Sequence, residues 1–180
     1  MVGYPRDHDL PHYTYEDYVQ WEGRWELICG IPYAMTPAPG IQHQSVSNNI
    51  AWLLKESLSE CKECQALLPV DWKIDEDTIV QPDNLVVCHK ADGAYLNRAP
   101  ALIFEVLSKS TATKDKNTKF ALYEKEGVRH YVIADPKERL AKVYSLHEGK
   151  YIKVTDATDE SCAFDLGKCV IDFDFSKIWA

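Results

Sequence analysis

The sequence predicts a mixed α/β fold, and three observations carry that expectation. Strand-like and helix-like segments alternate along the chain, with no repeat and no low-complexity linker. The most apolar run, Ala101-Leu102-Ile103-Phe104-Glu105-Val106-Leu107, reads as a strand buried on both faces. A helical segment separates it from the next apolar strand, at 131–134, which gives a helix crossover within one sheet. The chain has 180 residues, enough for a single domain, 1–180, with one substantial core.

Each element has a local reason. Residues 13–18 read as a short helix with Thr14 at the N-cap and Asp17 three residues on. Segments 24–29 and 31–35 form a hairpin that turns at Gly30. Pro37, Pro39 and Gly40 break the chain before a long helix at 41–60, whose buried stripe is Val46, Ile50, Leu53, Leu54 and Leu58. Segments 66–74 and 78–87 read as two strands across an acidic turn, and 92–100 as a polar loop. Ser110 or Thr111 caps a helix that runs to about Glu126 and stops at Gly127. After the strand at 131–134, closed by Asp135-Pro136, segments 139–146 and 151–154 pair as antiparallel strands. The remainder from Asp156 is expected to finish the β-structure and to lie near an interface.

Composition excludes several classes. Hydrophobic residues make up 46% and charged residues 27%, the balance of a folded globular chain rather than a disordered one. Residues 1–12 hold no apolar stretch, so neither a signal peptide nor a membrane span is expected, and the cytoplasm is the default location. Net charge is −8, which argues against coating nucleic acid by bulk electrostatics but leaves room for a local basic face. Lys109, Lys114, Lys116 and Lys119 make such a cluster, where a solvated helix face and phosphate contact weigh alike. Cys61 and Cys64 form a CxxC pair that no second pair completes into a zinc site. Cys29 and Cys88 fall in apparent strands, so the cysteines are expected to be reduced and non-catalytic.

Three carboxylates stand in unusual places. Glu105 lies inside the buried strand, where an ionised group is costly unless paired or bound to metal. Asp83 follows Pro82, which marks an edge, a bulge or a splayed strand end. Glu26 sits between Trp25 and Leu27, although strict alternation also allows it a solvent face. Carboxylates on adjacent strand ends repel unless a cation lies between them. Mg²⁺ is the usual answer, and a lysine from the following helix is the structural one. On that helix Asp115, Lys119 and Tyr123 recur at i, i+4 and i+8. Lys119 is placed to reach the strand end, or to make an exposed pair with Asp115.

These residues carry a resemblance. Pro82-Asp83, followed by an apolar strand with Glu105-Val106-Leu107-Ser108, is similar to the PD-(D/E)XK nuclease pattern. The chain more closely resembles the Uma2 family of restriction endonuclease-like proteins. It does so through Tyr13-Thr14-Tyr15-Glu16-Asp17-Tyr18, Trp25-Glu26-Leu27-Ile28-Cys29-Gly30, His43, Pro82-Asp83 and 104–111. Asp115, Lys119, Tyr123 and 127–136 complete the pattern, so the likeness spans roughly 13–146. The resemblance implies a restriction-endonuclease-like α/β fold, with a mixed central sheet flanked by helices. It also implies Asp83 and Glu105 as ligands of Mg²⁺ or Mn²⁺, and Glu26 and Lys119 as further catalytic groups. The implied reaction is hydrolysis of a nucleic-acid phosphodiester, DNA in the first instance, by metal-activated water. The superfamily lysine two residues after the second acid is Leu107 here, and Lys119 looks like its substitute. His43 and Gln42, at the helix start, are candidates to line the same cleft with Asp115 and Tyr123.

Two other readings stand beside this one. A non-catalytic interaction module keeping the nuclease fold fits the acidic net charge and the missing strand lysine. Trp21, Trp25, Tyr33 and Tyr131 near element ends would suit an interface, including a homodimer, or simply the core. A phosphoesterase acting on a small molecule is the third. No Gly-rich phosphate loop, Ser-His-Asp order or HExxH points to another enzyme class.

Overall fold

Thr14 opens α1 (Tyr15–Tyr18), and Asp17 Oδ2 accepts from the Thr14 backbone N–H at 2.9 Å to close a capping box. The computed structural model describes residues 11–35, 38–108 and 115–179, the side chains of Asp115 and Lys116 excepted. Strands β1 (Trp25–Ile28) and β2 (Ile31–Ala34) pair as an antiparallel hairpin. Its turn residues Cys29 and Gly30 both have positive φ, 51° and 74°, as the tight hairpin turn requires. Cys29 is therefore an exposed turn residue and not the packed strand cysteine expected from the sequence. The long helix α2 (Ile41–Ser57) buries Val46, Ile50, Leu53 and Leu54 of the expected stripe, and it ends before 60, so that Leu58, also buried, is its C-cap.

Prolines divide the next two expected strands. Segment 66–74 becomes β3 (Gln65–Leu67) and β4 (Trp72–Lys73), parted around Pro69. Segment 78–87 becomes β5 (Ile79–Val80) and β6 (Asn84–Val87), parted at Pro82. A proline cannot donate to a ladder, so each break lets the chain leave one sheet and enter another. The chain continues through β7 (Leu102–Val106), a π-helical turn at Asp115–Lys119, and α3 (Phe120–Lys125). Strands β8 (His130–Asp135), β9 (Leu140–His147) and β10 (Lys150–Ala157) follow, then the hairpin of β11 (Ser161–Asp165) and β12 (Val170–Asp174). The expected cap at Ser110 or Thr111, and Lys109 and Lys114, lie outside the described residues.

The main sheet has six strands in the order β10-β9-β8-β7-β6-β3, and a second has four in the order β2-β1-β5-β4. In the main sheet β7 and β8 are parallel and the other neighbours antiparallel, so the sheet is mixed as expected. All five residues of β7 are buried. Alternation divides them: Leu102, Phe104 and Val106 enter a core shared with α2 and the C-terminal hairpin. Ile103 enters the opposite core with Tyr123, Tyr131, Ile133 and Trp72. Glu105 shares the Ile103 face by the same period.

The C-terminal segment does finish the β-structure, and it closes one core. Phe173 and Phe104 ring centroids lie 5.0 Å apart, with Phe164 and Phe175 beside them. Cys61 is bonded to Cys169 and Cys64 to Cys88. The expectation of reduced cysteines is corrected here, because folding brings together residues 108 and 24 positions apart in the chain. No helix among the described residues is long and apolar enough to cross a membrane.

Candidate active site

Glu105 points into the face covered by α3. Its Oε1 accepts from Lys119 Nζ at 2.8 Å and from the Tyr123 hydroxyl at 2.8 Å. The four-residue spacing of Lys119 and Tyr123 brings both donors to one atom. Lys119 Nζ also lies 2.8 Å from Glu26 Oε1. Glu26, Glu105 and Lys119 are 0%, 2% and 2% exposed, so the cluster is closed to solvent. Charges at that depth persist only when paired and hydrogen-bonded, and these are.

Glu26 comes from the second sheet. Strand β1 pairs with β5, and the chain leaving β5 donates the Gln81 backbone N–H to Glu26 Oε1 at 2.9 Å. Its neighbours hold that chain in place: Gln81 Nε2 donates to Asp71 Oδ1 at 2.6 Å, and so does the Tyr18 hydroxyl at 3.0 Å. The contact of Glu26 with Lys119 thus joins the four-stranded sheet to the crossover of the six-stranded one. Sequence alternation left Glu26 a solvent face and Lys119 an exposed one. Both are buried, because the two sheets meet at this point.

Asp83 lies one residue before β6. The register Asn84↔Phe104 continues to place it opposite Glu105. Its Oδ2 accepts from the Val106 backbone N–H at 2.8 Å and lies 3.2 Å from His43 Nε2. Burial works to raise the Asp83 carboxyl. The hydrogen bond and charge of His43, the charge of Lys119 and the Val106 N–H outweigh it and hold the carboxyl below its ordinary value. Asp83 and His43 side chains keep 16% and 12% of their surface, so this is the less buried side of the site.

His43 stands on the first turn of α2 with its Nδ1 buried and without a hydrogen-bond partner among the described residues. Helix α2 is fixed there by a residue the sequence reading passed over. Asn84 is fully buried, donates Nδ2 to the Ser47 carbonyl at 3.2 Å and accepts from Ser47 Oγ at 2.9 Å. Its signal was a polar residue heading the apolar run Leu85-Val86-Val87.

The remaining candidates divide. Tyr123 belongs to the cluster. Gln42 is exposed, and its Nε2 donates to the Pro136 carbonyl at 3.1 Å, so it ties α2 to the turn after β8 and not to the acids. Asp115 opens the π-turn, and its side chain lies outside the described residues. Of the aromatics weighed as interface residues, Tyr131 is fully buried in the core, while Trp21, Trp25 and Tyr33 are half-buried.

The donor set suits a hard divalent cation. Asp83 and Glu105 are carboxylates on facing strand positions, and both contacts that fix Asp83 fall on Oδ2. Among the described residues no three acids or histidines converge on one point. A cation held by Asp83 and Glu105 would need water to complete its shell.

A mixed sheet with an acid just before β6 set opposite a second on β7, and a lysine from the following crossover, defines a restriction-endonuclease-like α/β protein. The chain belongs to the Uma2 family, whose model, described as a putative restriction endonuclease, matches residues 15–163. Its structure is similar to the crystal structure of a putative nuclease of DUF820 from Anabaena variabilis. The TM-score is 0.73 at 16% identity, over 92% of this chain and 97% of that one. No curated protein matches the chain.

Proposed function

We propose that the protein is a metal-dependent endonuclease that hydrolyses phosphodiester bonds of nucleic acid, DNA in the first instance. The observation that carries this reading is the placement of Asp83 against Glu105, with Lys119 and Tyr123 both on Glu105 Oε1. Asp83 and Glu105 would hold Mg²⁺ or Mn²⁺. When bound, such an ion lowers the pKa of a coordinated water and offsets charge on a phosphoryl group. The protein's own residues orient the carboxylates. Lys119 and Tyr123 fix one oxygen of Glu105, Glu26 anchors Lys119 from the second sheet, and His43 with the Val106 N–H fixes Asp83. The less buried side, at Asp83 and His43, is where a phosphodiester would approach. Membership of Uma2 supports the same reaction class.

The test is nicking of supercoiled plasmid with Mg²⁺ or Mn²⁺, wild type beside Asp83→Asn and Glu105→Gln. Cleavage by the wild type, abolished by chelator and lost in both variants at unchanged folding, is the expected result. Equal cleavage by all three proteins would sink the assignment of the site.

One observation favours a second reading, a non-catalytic interaction module that keeps the fold. Lys119 is clamped between two carboxylates at 2% exposure, which is also how a purely structural ion cluster looks. Nucleic-acid binding without cleavage in the same assay would favour the module.

A further inference from the structure

Four cysteines from three distant parts of the chain meet at one end of α2. Cys61 and Cys64 lie in the turns after the helix, where Cys61 N–H donates to Leu58 O at 2.9 Å and Cys64 N–H to Cys61 O at 3.3 Å. Cys88 follows β6, and the register Gln65↔Val87 continues to set it opposite Cys64, with Cα atoms 4.0 Å apart. Cys169 sits in the β11–β12 turn, where its carbonyl accepts from Leu166 N–H at 2.9 Å. The sulfurs are joined as Cys61–Cys169 and Cys64–Cys88, and the two pairs touch: Cys64 Sγ and Cys169 Sγ are 3.9 Å apart. The sulfurs of Cys61, Cys64 and Cys169 all lie within 4.8 Å of one another.

We propose that these four cysteines, when reduced, form a structural Zn²⁺ site. Two independent staples have no need to bring three of their sulfurs within 4.8 Å of one another, whereas a tetrahedral centre does, and Cys88, bonded to Cys64, stands next to that group as the fourth ligand. With Zn–S near 2.3 Å, a tetrahedron has sulfur–sulfur edges of about 3.8 Å, close to the Cys64–Cys169 separation. CxxC supplies two ligands from one turn, a spacing typical of structural zinc. A zinc tetrathiolate carries two negative charges, and Lys62, Lys90 and Lys168 line the surface depression beside Cys64 and Cys88. The chemistry balances. A dithiol or phosphine reductant gives four electrons to the two disulfides, which take up four protons. Zn²⁺ then displaces four protons from the thiols and itself stays divalent. The ion would bind the end of α2, the main sheet and the C-terminal hairpin together.

The full chain, purified under a phosphine reductant without chelator, should carry one zinc per molecule by elemental analysis. Replacing zinc with Co²⁺ should give the intense sulfur-to-cobalt charge-transfer and visible bands of a tetrahedral thiolate site. Oxygen ligands such as Asp83 and Glu105 cannot produce that spectrum. Cys169→Ser should lose the metal, while Cys29→Ser/Cys162→Ser, which alters the two cysteines outside the cluster, should keep it. Reduced wild type with four free cluster thiols, no zinc and no thiolate spectrum would overturn the proposal and leave two plain disulfides. The wild-type cobalt spectrum decides the matter even if Cys169→Ser fails to fold.

Discussion

Lys119 stands 2.8 Å from one carboxylate of each sheet, Glu26 and Glu105, and that arrangement sets what each substitution does. Glu105→Gln keeps an acceptor for the Tyr123 hydroxyl and leaves Lys119 paired with Glu26. It should change stability by no more than about 1 kcal/mol. Lys119→Met removes the ammonium and leaves two buried carboxylates facing each other, which should cost about 3–5 kcal/mol. Urea unfolding of both variants checks the order, and equal losses would mean that charge does not organise the cluster. If the nuclease reading holds, the cheap variant is also the inactive one, so loss of cleavage in Glu105→Gln cannot be blamed on unfolding.

The crossover from β7 to β8 is the element that delivers Lys119 and Tyr123, and it must stop on time. Gly127, φ 80°, ends α3 with a left-handed residue. Its N–H donates to Glu124 O at 3.2 Å, and Val128 N–H to Tyr123 O at 3.0 Å, the double bond of a Schellman stop. An added Cβ at Gly127 would meet nothing within 4 Å, so Gly127→Ala isolates the backbone term. The expected cost is about 1–2 kcal/mol, read as a shift in urea midpoint with an unchanged slope. A loss well beyond that would show that the stop also positions Tyr123 against Glu105.

At the scale of the molecule, His130 joins the main sheet to the C-terminal hairpin. Its ring nitrogens lie 2.8 Å from Ser145 Oγ on β9 and 2.8 Å from the Asp165 carbonyl at the end of β11. Burial lowers its pKa, with Arg129 adding to that effect, although the Asp165 carbonyl opposes it. A folded-state pKa below the unfolded one means that the unfolded chain takes up the proton first. The contribution of His130 is therefore complete above the unfolded value, about 6.5, and is lost as pH falls through the folded one. Urea midpoints measured from pH 7.5 down to pH 5 should drop in the wild type and drop less in His130→Gln. Parallel curves would remove His130 as the source.

Much of this was legible in the residues. Apolar length and flanks identified β7, periodicity identified α2, and Glu105 stood out because nothing apolar explains a carboxylate in such a strand. Pro82 marked the break beside Asp83. The splitting of 66–74 and 78–87 between two sheets was not legible, since local pattern says a proline interrupts a ladder but not where the chain goes next.

The sequence alone determined the strand and helix types and the buried acid, because period and burial cost are local properties of the chain. It also carried the family likeness. Only the tertiary structure decided that Glu26 and Lys119 face each other across two sheets. It alone gathered four cysteines at the foot of α2 and left His43 beside Asp83. Each of these contacts joins residues far apart in the chain, and their meeting is settled by sheet order and register, which no local pattern encodes.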